Sequence, residues 1–361
     1  MNKIKLIAAN ILLISLILAA SVSTYAGALP ANFFIPYTGE QIAAKGLGKH
    51  SSISKFGENP DIDTADGFEP VWDGAAAYTV PTVPRLHNVK STSIADAGSV
   101  VSSGTATGGS ETTLVDSTAT FITDGVAAGD YVVNDTDFSI GRILTIPSET
   151  TVTVGRQIDP GTGTTIYENE SGSTYRIVTA TSTGASFVVI YGLDTYRAAL
   201  NEFVVLNGTS NVATTGTYSR QFRMRMYGAG SAKSAVGTIT STAQTDGTVT
   251  CQLINGNNQS LMSIYTVPAG KTAYLHRWWG SISKNAGANV SSTVQIRVGE
   301  LDDAGYIKQT RSINRDGTSA FDHEFTTPMV IPGGVDVWME ANASANDTSI
   351  SGGFGIILVD N

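Results

Sequence analysis

The chain has one cysteine, Cys251, four histidines, and few charges: Asp, Glu, Lys and Arg make up 15% of its 361 residues. A single cysteine forms no intramolecular disulfide and no cysteine-based zinc or iron–sulfur site. Basic residues are the scarcer sign, 22 Lys and Arg against 31 Asp and Glu, for a formal charge of −9. With no basic block along the chain, general nucleic-acid binding is not expected. Long stretches rich in Ala, Glu, Lys and Leu are missing, and beyond the first residues no run is apolar enough to span a bilayer. What is present is 41% apolar content, enough to bury a core, and 38 glycines. With so little charge, the surface falls to Thr, Ser, Asn and Gly, the composition of a β-rich, loop-rich protein.

The first residues stand apart. Lys3 and Lys5 precede an apolar run from Leu6 to Ala20, broken only by Asn10 and Ser15, and Thr24-Tyr25-Ala26 follows. That is the layout of a secretory signal peptide over residues 1–26, with no stable membrane span after cleavage. The segment holds two lysines and no acid, so its removal takes the charge from −9 to −11.

Residues 27–73 read as an extended N-terminal arm, punctuated by Pro30, Pro36, Gly57, Asn59-Pro60 and Asp73-Gly74. Residues 74–97 together with 185–361 read as one antiparallel β-sandwich, jelly-roll-like. In Gln221–Tyr227, Phe222, Met224 and Met226 alternate with Gln221, Arg223 and Arg225; Thr293–Val298 and Val335–Met339 alternate in the same way. Period two means one buried and one wet face. Turn signals such as Asn207-Gly208, Asn255-Gly256 and Asp316-Gly317 separate these runs, and many short strands at this spacing define a sandwich or barrel. Residues 98–184 read as a small inserted all-β module. Its borders are Gly/Ser/Thr-rich, and its runs Tyr131–Val133, Arg142–Ile146, Thr151–Val154 and Tyr175–Val178 are β-branched and aromatic.

No motif assembles a catalytic, cofactor or metal site. Pro268-Ala-Gly-Lys271-Thr272 imitates the end of a phosphate-binding loop, but Tyr265 stands where the first glycine belongs and the context is strand–turn–strand. Asp322-His323-Glu324 places its carboxylates on one strand face and its imidazole on the other. Asp61, Asp63, Asp302 and Asp303 lack the remaining spaced oxygens of a calcium loop and read as solvated turns. A two-carboxylate hydrolase is the least favoured class, since no pair among so many acids is marked out.

Five residues are candidates for an interface. Arg223 and Arg225 share the strand face opposite Phe222, Met224 and Met226, where they would meet an acidic partner, another copy or water. Trp278 and Trp279 lie on opposite faces by parity, so one is core and the other suits a subunit contact or a sugar ring. Trp338 lies opposite Val335 and Val337, exposed at an interface or covered by the inserted module.

Three stretches together resemble virion structural proteins of tailed bacteriophages, of the marine and uncultured-phage type. They are Gly48–Asp63 running on to Val71-Trp-Asp-Gly74, Tyr191-Gly-Leu-Asp194 with Phe203–Thr209, and Gln259–Leu275. Thr113–Phe121 with Gly125–Asp130 is similar to small β modules spliced into such proteins. The resemblance implies a non-enzymatic β-sandwich on the particle surface, a head decoration or a fibre- or adhesin-like subunit, whose partners are itself and other virion proteins. It supplies no catalytic residue and no cofactor. The leader favours an alternative, an exported bacterial surface β-sandwich that binds carbohydrate or other cell-surface ligands.

Overall fold

A computed structural model describes residues 50–64, 66–74, 78–160, 169–180, 183–284, 290–302 and 307–361. Those residues are all-β, and every strand pairing is antiparallel. No helix among them is long and apolar enough to cross a membrane. The strands form three units, each nested in a connection of the one before.

The outermost unit is an eight-stranded jelly roll. Its strands are β1 (His50–Ile62), β17 (Ile264–Thr266), β18 (Lys271–Lys284), β19 (Ser291–Gly299), β20 (Ile307–Asp316), β21 (Ser319–Pro332), β22 (Asp336–Ala343) and β23 (Thr348–Asp360). One sheet runs β1-β23-β18-β21 and the other β17-β22-β19-β20. Counted within the unit, these orders are 1-8-3-6 and 2-7-4-5, the double Greek key of a jelly roll. The short strand β2 (Glu69–Pro70) adds to β22. Alternation makes the sandwich: Val337, Met339 and Ala341 of β22 and Val294, Ile296 and Val298 of β19 turn inward, where Ile350, Phe354, Ile356 and Leu358 of β23 meet them. Trp278 packs edge-on against Phe321 inside, their ring centres 4.8 Å apart.

Everything between β1 and β17 is one long connection, and it carries the second unit. Strands β12 (Ala199–Val205), β11 (Ala185–Leu193) and β14 (Arg220–Ala229) form one sheet, in that order. Strands β13 (Val212–Ala213), β3 (His87–Ser91), β15 (Ile239–Ala243) and β16 (Val249–Leu253) form its partner. Val89, Val188, Ile190, Met224, Met226, Ile239 and Leu253 fill the space between them. Trp72, Met262, Ile264 and Trp338 of the jelly roll belong to the same cluster, so the two sandwiches share a core.

The third unit sits between β3 and β11. Its strands are β4 (Val100–Thr105), β5 (Gly108–Ser110), β6 (Thr113–Val115), β7 (Tyr131–Asn134), β8 (Ser139–Ser148), β9 (Thr151–Val154) and β10 (Thr174–Val178), in the order β4-β10-β7-β8-β9-β6-β5. Val132, Ile143, Val152 and Ile177 line its own core. Val133, Ile140 and Val178 face the other way, onto Phe187, Val189, Tyr191 and Phe203. Strand β11 is therefore covered on both sides and all nine of its residues are buried. That is why Ala185–Leu193 reads as a continuous apolar run rather than an alternating one.

Two readings from the sequence change. Residues 50–62 are not part of an extended arm; they are β1, paired with β23 from His50↔Val359 to Ile62↔Thr348. The inward positions of that strand include Lys55, Gly57 and Asn59, which hides the alternation. The single sandwich over 74–97 and 185–361 is two sandwiches, because β17 to β23 pair with β1 and β2 and not with β3 or β11–β16. The leader and residues 27–49 lie outside the described residues.

Candidate functional site

The five candidate residues fall on three surfaces. Trp338 lies on the outer face of the β17-β22-β19-β20 sheet, as its parity requires, and is 4% exposed. The second sandwich covers it, not the 98–184 module. Its indole Nε1 donates to Glu340 Oε2 at 2.9 Å. Beside it in the same seam, Arg220 and Asp336 form a bidentate pair, Nε to Oδ1 at 3.2 Å and Nη2 to Oδ2 at 3.1 Å. Both side chains are almost wholly buried. Asp336 also accepts from Thr266 Oγ1 at 2.5 Å and from the Leu301 amide at 2.8 Å. Asp302 reaches Arg220 at 3.0 Å and Arg197 at 3.6 Å. Glu300, Asp302 and Asp336 bring carboxylate oxygens within 4.8 Å of one another. The guanidinium groups of Arg220 and Arg197 lie against Asp302 and Asp336, so two of the three carboxylates are already paired within the protein. Asp303 lies outside the described residues.

Arg223 and Arg225 lie opposite Met224 and Met226 on β14, but that face looks inward onto other units. Arg223 Nη2 donates to the Ser54 carbonyl of β1 at 2.7 Å. Arg225 Nη1 donates to the Pro160 carbonyl at 3.2 Å, and Tyr227 Oη donates to the same oxygen at 2.9 Å. The two arginines tie the second unit to the jelly roll and to the third unit, and they present no open basic face. Burial, then the neighbouring charge of Arg225, holds the Arg223 guanidinium below its ordinary range.

Next to them lies a group that no motif signalled. Lys55, an inward residue of β1, is 2% exposed and donates Nζ to the Phe222 carbonyl. Burial pushes its pKa well below the usual lysine value, and Arg223 adds to the shift. Asp73 stands where the chain leaves and re-enters the jelly roll. Its amide donates to the Leu261 carbonyl at 2.9 Å, and its Oδ2 accepts from the Leu261 amide at 3.1 Å. Burial pushes the Asp73 carboxyl up to about 7. A lysine at an even-spaced inward position of a strand was the one available sequence signal.

The remaining surface is open. On the outer face of the β1-β23-β18-β21 sheet, Phe56, Gly353, Trp279 and Asp322 form one cross-strand row. Trp279 is the half-buried member of the tryptophan pair, and Trp278, at 1% exposure, is core. A bulge between Leu275 and Arg277 sets this arrangement. Ala273 and Leu275 point inward before it; Trp278, Gly280 and Ile282 point inward after it. Leu275 and Trp279, which parity alone puts on one face, therefore lie on opposite faces. The Trp279 indole leans over β23 where that strand has no side chain: a Cβ on Gly353 would meet its Cζ2 at 2.8 Å. His276 does the same over Gly355, where a Cβ would meet Nε2 at 2.8 Å. Arg277 stands 5.6 Å from the Trp279 ring centre and pairs bidentately with Asp322, Nε to Oδ1 at 2.8 Å. That bond holds the Asp322 carboxyl below its ordinary range. The result is a groove of about 670 Å³ floored by Gly57, Gly280 and Gly352 and walled by Phe56, Trp279 and the Arg277–Asp322 pair.

No family model matches the chain, and no curated protein does. Solved structures that it is similar to are particles of infectious bursal disease virus. The T13 particle shares 10% identity at a TM-score of 0.20, over 89% of this chain and 76% of that one. The Gt strain structure shares 11% at 0.19, over 89% and 77%. The T=1 particles share 11% at 0.18, over 91% and 72%. At such scores the likeness carries no argument, and the fold rests on the strand orders described above.

Proposed function

We propose that the chain is a non-enzymatic structural subunit of a virus particle of the tailed-phage kind, a capsid decoration or a fibre- or adhesin-like subunit. It would act by self-association and by contact with other virion proteins. The observation that carries this reading is the nesting. A complete jelly roll, an architecture used by viral shells and lectins, carries the other two units as one outgrowth from the connection between its first and second strands. A fold does not by itself assign a function, so the use of the charged groups matters as much. Arg220, Asp302 and Asp336 join the first two units, and Arg223 and Arg225 bind the second to its neighbours. They serve rigidity between units and are not gathered round a cleft.

Self-association has a place to occur. Strands β20 and β21, 10 and 14 residues long, end the two jelly-roll sheets. Arg311, Arg315, Asp322 and Glu324 stand exposed on them. An unpaired edge of that length is a template for another chain, restrained by its charges. In closed symmetry such edges repeat around an axis.

The test joins light scattering on the purified protein with mass spectrometry of purified particles and of host envelope fractions. A closed oligomer, together with peptides of this chain in particles, is the expected result. A protein that stays monomeric at high concentration and is missing from particles overturns the reading. A mature N-terminus at Gly27 confined to the envelope fraction would replace it with the exported surface protein.

A further inference from the structure

We infer that the Trp279 groove on the outer face of the β1-β23-β18-β21 sheet is a binding site for a neutral oligosaccharide. The inference stands apart from the virion reading, since it needs only this face of the jelly roll.

A sugar ring offers two surfaces at once, patches of C–H and a rim of hydroxyls, and a site for it needs both an aromatic face and planar polar groups. The groove has both. Trp279 is half-buried and leans over the gap left by Gly353, which keeps the indole low on the sheet. Phe56, 37% exposed, stands on the other side of the same glycine, one strand further on. Aromatic bodies with one wet side are suited to stacking on apolar ring faces. The polar groups surround them. The Arg277–Asp322 pair stays partly open to solvent, at 43% and 51% side-chain exposure, and its fork geometry fixes donors and acceptors in one plane. Glu58, in the next cross-strand row, receives a long 3.5 Å bond from Ser349 and keeps acceptor capacity for a hydroxyl.

Shape and charge narrow the ligand. Side chains on this stretch of the sheet are small (Ser281, Ala320 and Ser351 beside the glycines), which leaves the groove's volume of about 670 Å³. Small-molecule sites span roughly 300–1,000 Å³. Glu58, Asp322 and Glu324 outnumber Arg277 on this face, Glu324 lying directly across from Arg277. On a chain of charge −9, that excess of carboxylates repels uronic and sialic acids and leaves neutral sugars.

The experiment titrates the full chain with maltohexaose, cellohexaose, chitohexaose and mannohexaose, with polygalacturonate as the acidic comparison. It follows tryptophan emission and calorimetric heat. The inference expects saturable binding of at least one neutral hexasaccharide. It also expects Trp279→Ala and Asp322→Asn each to weaken that binding at least tenfold. Asp322→Asn changes an exposed group, so its melting temperature should match the parent's and keeps the comparison meaningful if Trp279→Ala folds poorly. Four silent neutral sugars at millimolar concentration overturn the site. So does unchanged binding by both variants, or a preference for polygalacturonate. If Trp279→Ala instead dissolves an oligomer while no hexasaccharide binds the parent, the groove's occupant is a second copy and the inference fails.

Discussion

Removing the Asp336 carboxylate should cost more than removing its whole ion pair. Asp336 is wholly buried and accepts from Arg220, Thr266 and the Leu301 amide. Arg220 is 3% exposed. In Asp336→Ala the guanidinium stays in the seam with Asp302, a half-exposed partner at 3.0 Å, as its remaining counter-charge. Stripping one member from a buried pair costs about 3–5 kcal/mol. Because Asp302 still offers partial compensation, a loss of about 3 kcal/mol is expected, with the Leu301 amide and Thr266 hydroxyl contributing through their lost acceptor. In Arg220→Met/Asp336→Leu both charges leave together and the seam keeps its volume. That variant still leaves the Leu301 amide and the Thr266 hydroxyl without their acceptor, so it should lose about 1–2 kcal/mol, less than the single variant. Urea unfolding followed by tryptophan emission reads both, since Trp338 sits in the same seam and reports its opening. A three-unit protein need not unfold in one step, so the transition to compare is the one that moves the Trp338 signal. If Asp336→Ala loses less than about 1 kcal/mol, or if the double variant loses the sum of the singles, the seam is not the charged joint described here.

Three further outcomes follow from the same geometry. Asp73 has a folded pKa of about 7, above its ordinary 3.8, so the fold favours its protonated form. Its contribution is full below the unfolded value and is lost as pH rises through about 7. Asp73→Asn, which keeps an oxygen for the Leu261 amide, should gain on the parent between pH 4 and 8 by about 1–2 kcal/mol after allowance for partial solvent screening; parallel melting curves across that range would count against it. Phe187 is wholly buried between β11 and the third unit, with Tyr131, Phe203 and Tyr227 within 6.2 Å of its ring centre. Phe187→Ala should cost about 3–5 kcal/mol and speed protease cleavage at the 179–184 border, and an unchanged digestion pattern would refute the packing. Deleting His276 makes Leu275 and Arg277 consecutive, as their partners Ile356 and Gly355 already are, so the bulge closes with Trp278 still inward and Trp279 still outward; the variant should keep parent-like near-ultraviolet circular dichroism, and a changed tryptophan signature would refute the register.

The all-β class and its strand alternation were legible because they are local. Met224 and Met226 against Arg223 and Arg225, or Val337 and Met339 against Trp338, mark two faces within a few residues, and β14 and β22 place them so. What lies over each face is not local. Parity placed Trp338 opposite the jelly-roll core, yet its cover comes from a sandwich whose strands lie 85 to 251 positions away in the chain, and no pattern near Trp338 carries that information. Strand β1 was hidden for the opposite reason. Its inward positions are spent on Lys55, Gly57 and Asn59, a buried amine held by a carbonyl, a glycine on which a Cβ would meet Val71 O at 2.4 Å, and an amide bonded to Pro70 O. A strand that meets its neighbours by hydrogen bonds and close backbone approach leaves no hydrophobic period to read. The tryptophan pair is a third case, where one inserted residue inverts everything downstream of it. Before the bulge at His276 odd positions of β18 are core, and after it even positions are. The face that carries the sugar-site inference therefore exists because of an irregularity, and the two glycines that make room for the rings of Trp279 and His276 lie on β23, a neighbouring strand near the chain's end. Each of these features is set by pairing between distant strands, which is the level at which alternation along one strand stops being informative.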